Sequence, residues 1–179
     1  MGSVLAVCKC ENHQFSKKTV DSILLIKGEG IDGDIHRGIT VQHQLGVKED
    51  PTQPNLRQVH LIDYGLIREL QSKKFDINPG TMGENITTLG IELLSLPTGT
   101  ILNIGSEVEV EITGLRIPCA QLNQYQKGLA AAVLERDENG NTVSKIGIMG
   151  VILKGGTVKA EDQIEIILPP EPHKPLERV

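Results

Sequence analysis

The chain predicts a mainly β protein, a barrel or sandwich of short strands with a few short helices at its periphery. Two observations predict it. From Glu107 to Ile112, glutamate alternates with an aliphatic residue, the period of a strand with one wet face and one buried face. Nineteen glycines and nine prolines punctuate the chain at short intervals, which suits many short strands better than a doubly wound sheet. Aromatic residues make up only 2% and tryptophan is absent, so the core must be built from valine, isoleucine, leucine and alanine.

Taken in order, residues 3–8 and 20–27 read as the first strands, and 57–62 as the next. Asp63 caps a predicted helix running to about Lys74, with Leu66, Ile67 and Leu70 on its inner face. Strands follow at 101–104 and 107–113. A second helix is expected from Gln126 to about Arg136, around Leu129, Val133 and Leu134. The last strands are 146–153 and 163–168; Ile164 to Leu168 is apolar enough to be buried on both faces. Residues 43–56 mix charge, proline and asparagine without periodicity and read as a surface loop or lid. The proline-rich residues 169–179 read as an extended, mobile tail behind a single domain of residues 1–168.

Composition narrows the function. A net charge of −5 leaves no general footprint for nucleic acid. No run approaches the roughly 18 apolar residues of a membrane span, and the first residues lack a signal peptide's basic and apolar regions. Three cysteines, Cys8, Cys10 and Cys119, are an odd number without framework spacing, as expected in a reducing compartment. A cytoplasmic protein with no nucleic-acid or membrane partner is therefore expected. Gly28-Glu29-Gly30-Ile31-Asp32-Gly33 matches a dinucleotide fingerprint, but glycine and β-branched residues follow where a helix must start. No nucleotide cofactor is expected.

Four polar clusters can carry chemistry. In Asp32-Gly33-Asp34-Ile35-His36-Arg37-Gly38, glycines permit a sharp turn that presents His36 and Arg37 to an anion, or the aspartates simply cap the turn. In Arg57-Gln58-Val59-His60-Leu61-Ile62, alternation puts Arg57, Val59 and Leu61 on one face and Gln58, His60 and Ile62 on the other. That segment is either a site wall or an edge strand with a surface histidine. Pro79 to Thr88 holds Glu84-Asn85 between glycines, to orient a ligand or to brace a loop. In Arg116-Ile117-Pro118-Cys119, a fixed cation stands beside a lone cysteine, an arrangement that favours the nucleophilic, metal-binding thiolate; a buried apolar thiol is the plainer role. Cys8 and Cys10 share one face of the first strand near His13, but no second pair completes a zinc site.

In this order the four clusters resemble the MOSC domain, named for the C-terminal domain of molybdenum cofactor sulfurases. The run Gly150 to Val158 followed by Asp162 fits as well, and the likeness extends from about residue 20 to 168. It implies a MOSC-type β-barrel that binds the pterin-based molybdenum cofactor (molybdopterin) or carries sulfur for it. It places Cys119 as metal ligand or persulfide carrier. It makes His36, Arg37, Arg57, His60, Asn85 and Arg116 the candidates to hold the cofactor, with Glu84 less suited because a carboxylate repels an anion. Two departures stand out. Ile35 takes a place that is often basic, and Ile148-Met149-Gly150 stands where related sequences carry Tyr-Ala-Arg-like residues, so one cofactor contact is lost there.

The resemblance leaves three roles open. The first is a small oxidoreductase that reduces N-hydroxylated or other N–O compounds with electrons from donor proteins, since the chain has no flavin or iron–sulfur domain. The second is a sulfur carrier, with Cys119 persulfidated by a sulfur-donor protein, since no desulfurase domain is present. The third is a structural or interaction domain without cofactor.

Overall fold

The computed structural model describes residues 2–179, with the backbone alone for Gln44 and Leu45; Met1, the first residue of the expected domain, lies outside them. The chain opens with β1 (Gly2–Lys9), β2 (Lys18–Val20), β3 (Ser22–Ile26) and the two-residue β4 (Gly30–Ile31). A short helix, α1 (Gln44–Glu49), stands inside the segment expected to be a surface loop or lid. Then come β5 (Val59–Asp63), α2 (Tyr64–Ser72), β6 (Ile86–Leu89), β7 (Ile101–Ile104) and β8 (Val108–Leu115). Two short helices, α3 (Gln121–Tyr125) and α4 (Leu129–Ala132), precede the hairpin β9 (Leu134–Arg136) and β10 (Thr142–Ser144). The chain continues through β11 (Ile148–Lys154), β12 (Gly156–Lys159) and β13 (Gln163–Ile167).

Seven strands close into a barrel in the order β13-β7-β8-β11-β5-β6-β1, sealed where β1 pairs with β13. The seal sets Gly2 opposite Ile164 and Ser3 opposite Gln163. The far end of β1 pairs with β2 instead, at Val7, Cys8 and Lys9. Every barrel pair is antiparallel except β5 and β6. A parallel pair needs a crossover connection, which α2 supplies.

The alternation read in the sequence decides what faces inward. Val108, Val110 and Ile112 of β8 are buried in the barrel with Val4, Leu61 and Leu102. Glu109, Glu111 and Thr113 lie between them at partly exposed positions. A second core lies outside the barrel wall, where Ile62 of β5 meets Leu66, Ile67 and Leu70 of α2 and Leu122 and Leu129 of the short helices. Asp63 caps α2 as expected, its Oδ2 accepting from the Gly65 amide at 3.0 Å.

Two expectations are corrected. The helix expected over Gln126–Arg136 is broken, because Gly128 takes a φ of 90° and Asn123 Oδ1 caps the Gly128 and Ala130 amides. Leu134 then enters a hairpin whose turn is braced by the Asp137 carboxylate. Nor is 163–168 buried on both faces: Ile164 is fully buried, but Ile167 and Leu168 are about half exposed, because β13 packs only its inner face on the barrel. The proline-rich segment lies back along the barrel. The Thr98 amide donates to the Lys174 carbonyl, the Leu115 amide to that of Glu177, and the Val179 amide to that of Leu115. Among the described residues no helix is long and apolar enough to cross a membrane.

Candidate functional site

One cavity of about 580 Å³ opens beside the parallel pair of the barrel. Six of the seven residues singled out from sequence line it: His36, Arg57, His60, Asn85, Arg116 and Cys119. Arg37 does not. Its exposed guanidinium pairs with Glu29 at 2.7 Å and with Asp32 at 2.6 Å on the outside of the turn.

The barrel explains the convergence. β5 is a central stave between β11 and β6, so His60 is 4% exposed rather than on a sheet edge. Alternation sends Val59 and Leu61 into the barrel core and Ile62 under α2. Arg57 precedes the strand, turned by its amide's hydrogen bond to Asn55 Oδ1 at 3.0 Å. It is therefore freed from the alternation and lines the cavity alongside His60. Arg116 leaves the end of β8, its backbone pinned to Gly147 and to the Ser144 hydroxyl. Pro118 then turns the chain so that Cys119 meets the cavity just before α3.

Asp34 joins these parts from below. Its Oδ2 lies 2.8 Å from Lys17 Nζ and 3.1 Å from Asn85 Nδ2, while Oδ1 lies 3.3 Å from His36 Nδ1. Burial would raise the Asp34 carboxyl, but the hydrogen bonds from His36 and the charge of Lys17 hold it well below the usual carboxylate range. Burial lowers the Lys17 ammonium below its ordinary value, opposed by the charge and hydrogen bond of Asp34. Asn85 spends its amide on the fold: Oδ1 accepts from the His60 amide at 3.2 Å, and Nδ2 also donates to the Cys8 carbonyl at 3.2 Å. His60 Nε2 lies 2.7 Å from the Ile146 carbonyl, which requires a proton on that nitrogen. Burial and then the Arg116 charge push this imidazole well below its ordinary value, so it is neutral.

The field in the cavity is positive. Burial and then the charges of Arg57, His36 and Arg116 lower His43 at its edge. Burial lowers Arg57. Burial also lowers Arg116, opposed by Cys119 and Glu84. Among the described residues neither arginine has a carboxylate within ion-pair distance, and Arg116 Nη1 is buried without a hydrogen-bond partner. Cys119 is partly exposed, with Gln121 Oε1 3.7 Å from its sulfur. An anion would complete this set, and a soft metal could reach the thiol.

Glu84 braces the fold rather than the cavity. Its Oε1 accepts from the Gly80 amide at 2.6 Å and the Thr87 hydroxyl at 3.3 Å, and burial raises it above the ordinary value. Cys8 is a buried thiol pushed up to about 11 by burial, and neither it nor Cys10 lines the cavity.

Sequence reasoning missed Lys17, His43 and Asn55, which also line the cavity. Lys17 sits in Ser16-Lys17-Lys18 and looks like its neighbour; only the distant Asp34 makes it different. Asn55 had a readable signal, since asparagine before a strand commonly bonds the backbone, here to the Gly38 carbonyl at 2.8 Å.

A family model described as MOSC domain matches residues 42–165. Among solved structures, the chain is similar to the YuaD protein from Bacillus subtilis, with a TM-score of 0.75 and 24% identity over 93% of this chain and 96% of that one. It is also similar to YiiM from Geobacillus stearothermophilus, with a TM-score of 0.63 and 13% identity over 93% and 75%. For YiiM from Escherichia coli the TM-score is 0.60 at 17% identity, over 96% and 73%. At these identities the likeness is one of fold. No curated protein matches the chain.

Proposed function

This chain belongs to the MOSC domain family, which is associated with molybdenum-cofactor binding, and from that premise we propose that its cavity holds this cofactor and serves a small reductase of N-hydroxylated compounds. The observation that carries the proposal is the pairing, in one cavity, of a thiol with two arginines that lack carboxylate partners among the described residues, one of them with a buried, unpartnered Nη1. Those residues fit the group. Among the described residues no three His, Cys, Asp or Glu side chains gather to hold a metal, so a metal beside Cys119 must bring most of its ligands with it, as a pterin dithiolene does.

In this reading Cys119 supplies the protein's thiolate to the metal, while Arg57 and Arg116 hold the cofactor's phosphate. Lys17 adds positive potential from below, and neutral His60 donates no charge but stiffens the wall. When bound, the cofactor supplies two-electron redox chemistry that side chains lack. The overall change is R–NHOH plus two electrons and two protons giving R–NH2 and water, with the electrons delivered by donor proteins. His36, held at Nδ1 by Asp34, is the side chain suited to pass a proton into the cavity.

The test is metal analysis of protein made in a host that synthesises the cofactor. The reading expects near-stoichiometric molybdenum that is lost in Cys119→Ser, together with reduction of an N-hydroxy compound by a supplied electron donor. Molybdenum-free protein bearing a persulfide on Cys119 would replace this reading with sulfur carriage. If neither metal nor persulfide is found, both roles fail.

A further inference from the structure

We propose that the mouth of the cavity selects substrates with a neutral, apolar body and turns away anionic ones. The proposal rests on the cofactor reading, because the cationic depth of the cavity is then taken and only the mouth is left for substrate. Two exposed large apolar side chains, Leu56 at 43% and Ile117 at 40% exposure, stand at that mouth, and two more, Ile39 at 72% and Val47 at 41%, lie on the segment that builds it. Leu56 and Ile117 line the cavity themselves, together with Val41, Pro118 and Met149. Exposed apolar side chains lining the mouth of a cavity mark a surface suited to an apolar ligand.

The wall is built, not loose. Residues 39–55 leave and return through a neck in which Thr40 bridges Pro54. The Val41 amide donates to Gln53 at 2.8 Å and the Asn55 amide to Ile39 at 3.0 Å. Asn55 Nδ2 ties this neck to the Gly38 carbonyl at 2.8 Å. A wall held at its base presents its side chains in advance of binding, which lowers the ordering cost of each contact. Charge adds a second filter. Among the described residues Glu49 is the one acidic side chain lining the cavity, and it is exposed at the end of α1. It repels an anionic substrate at the entrance, while the positive depth that would attract such a substrate is neutralised by the bound cofactor.

The test is calorimetric titration of molybdenum-loaded protein with three hydroxamic acids: a phenyl compound, its methyl counterpart, and the phenyl compound bearing a para-carboxylate. The phenyl compound is expected to bind at least about tenfold more tightly than the methyl one, as a filled apolar pocket discriminates. The carboxylate is expected to lose most of that gain. Leu56→Ser with Ile117→Ser brings the phenyl compound to the methyl level, and Glu49→Gln restores binding of the carboxylate. Equal binding of phenyl and methyl compounds overturns the proposal, as does a phenyl preference that survives the double substitution. Loaded protein without the preference sinks the selection alone, whereas protein that takes up no molybdenum sinks the cofactor reading and this one with it.

Discussion

The Lys17 ammonium meets the Asp34 carboxylate at 2.8 Å, with their side chains 4% and 3% exposed. A pair this buried is costly to break because the surviving charge is stranded. Asp34→Asn is expected to lower stability at pH 7 by about 3–5 kcal/mol, read from urea unfolding. The folded carboxyl is depressed, so its contribution is complete above the ordinary carboxylate value near about pH 4 and fades as pH falls below it. The gap between the wild type and Asp34→Asn should therefore narrow in acid. A constant gap from pH 7 to pH 3 would show that the charge on Asp34 is not what stabilises the fold.

His60 works in the same direction at higher pH. Its folded value is depressed by burial, so the stability of the neutral ring is complete above its unfolded value of about 6.5 and is lost as pH falls below that. The wild type should lose up to about 1.4 kcal/mol per pH unit through this group, and His60→Gln should flatten that slope. The His60 ring proton signals should not shift between pH 8 and 6.5 in NMR spectra. Titration in that range would contradict the burial argument.

Glu84 has the opposite sign. Burial raises it, so its contribution is present below the ordinary carboxylate value and declines as pH rises through the folded one. Glu84→Gln keeps the acceptor for Gly80 and Thr87 and should change stability at pH 7 by no more than about 1 kcal/mol. Glu84→Ala strands the Gly80 amide and should cost about 1–3 kcal/mol. Equal losses for the two variants, measured by denaturant midpoints, would mean that the charge rather than the hydrogen bond matters.

Gly114 lets the C-terminal segment lie against β8. A Cβ there would collide with the Glu177 carbonyl oxygen and sit 3.1 Å from the Val179 side chain. Gly114→Ala should release this segment, so the Leu115 amide, which donates to Glu177 at 2.7 Å, should exchange with deuterium at least about tenfold faster, as expected for a locally opened segment. Unchanged exchange would show that the segment yields without detaching.

What the sequence made legible was mostly local. The alternation from Glu107 to Ile112, the Asp63 cap and the inner face of Leu66, Ile67 and Leu70 each depend on near neighbours, and each stands as expected. Elements that depend on a partner far along the chain were hidden. β2 and β12 are short runs with no period of their own, which exist because β1 and β3 offer edges to pair with. In the second expected helix, Leu129 and Val133 are buried as periodicity required, yet Gly128 and the Asp137 turn redirected the chain. The same division holds at the site. Cys119, Arg116 and His60 announce themselves by residue type, while Lys17 is chosen from two adjacent lysines by a carboxylate 17 positions away. Arg37, singled out with them, pairs with Glu29 and Asp32 across its own turn.

The seal between β1 and β13 joins the first described residues of the chain to residue 164. Closing so long a loop is slow, and a chain growing from the ribosome cannot complete its ring until β13 has emerged. His60, Asn85 and Arg116 are made long before the stave that closes the ring behind them. The walls of the cavity are therefore synthesised ahead of the strand that makes the barrel a closed ring, and the ring's completion belongs to the end of synthesis rather than to an early intermediate.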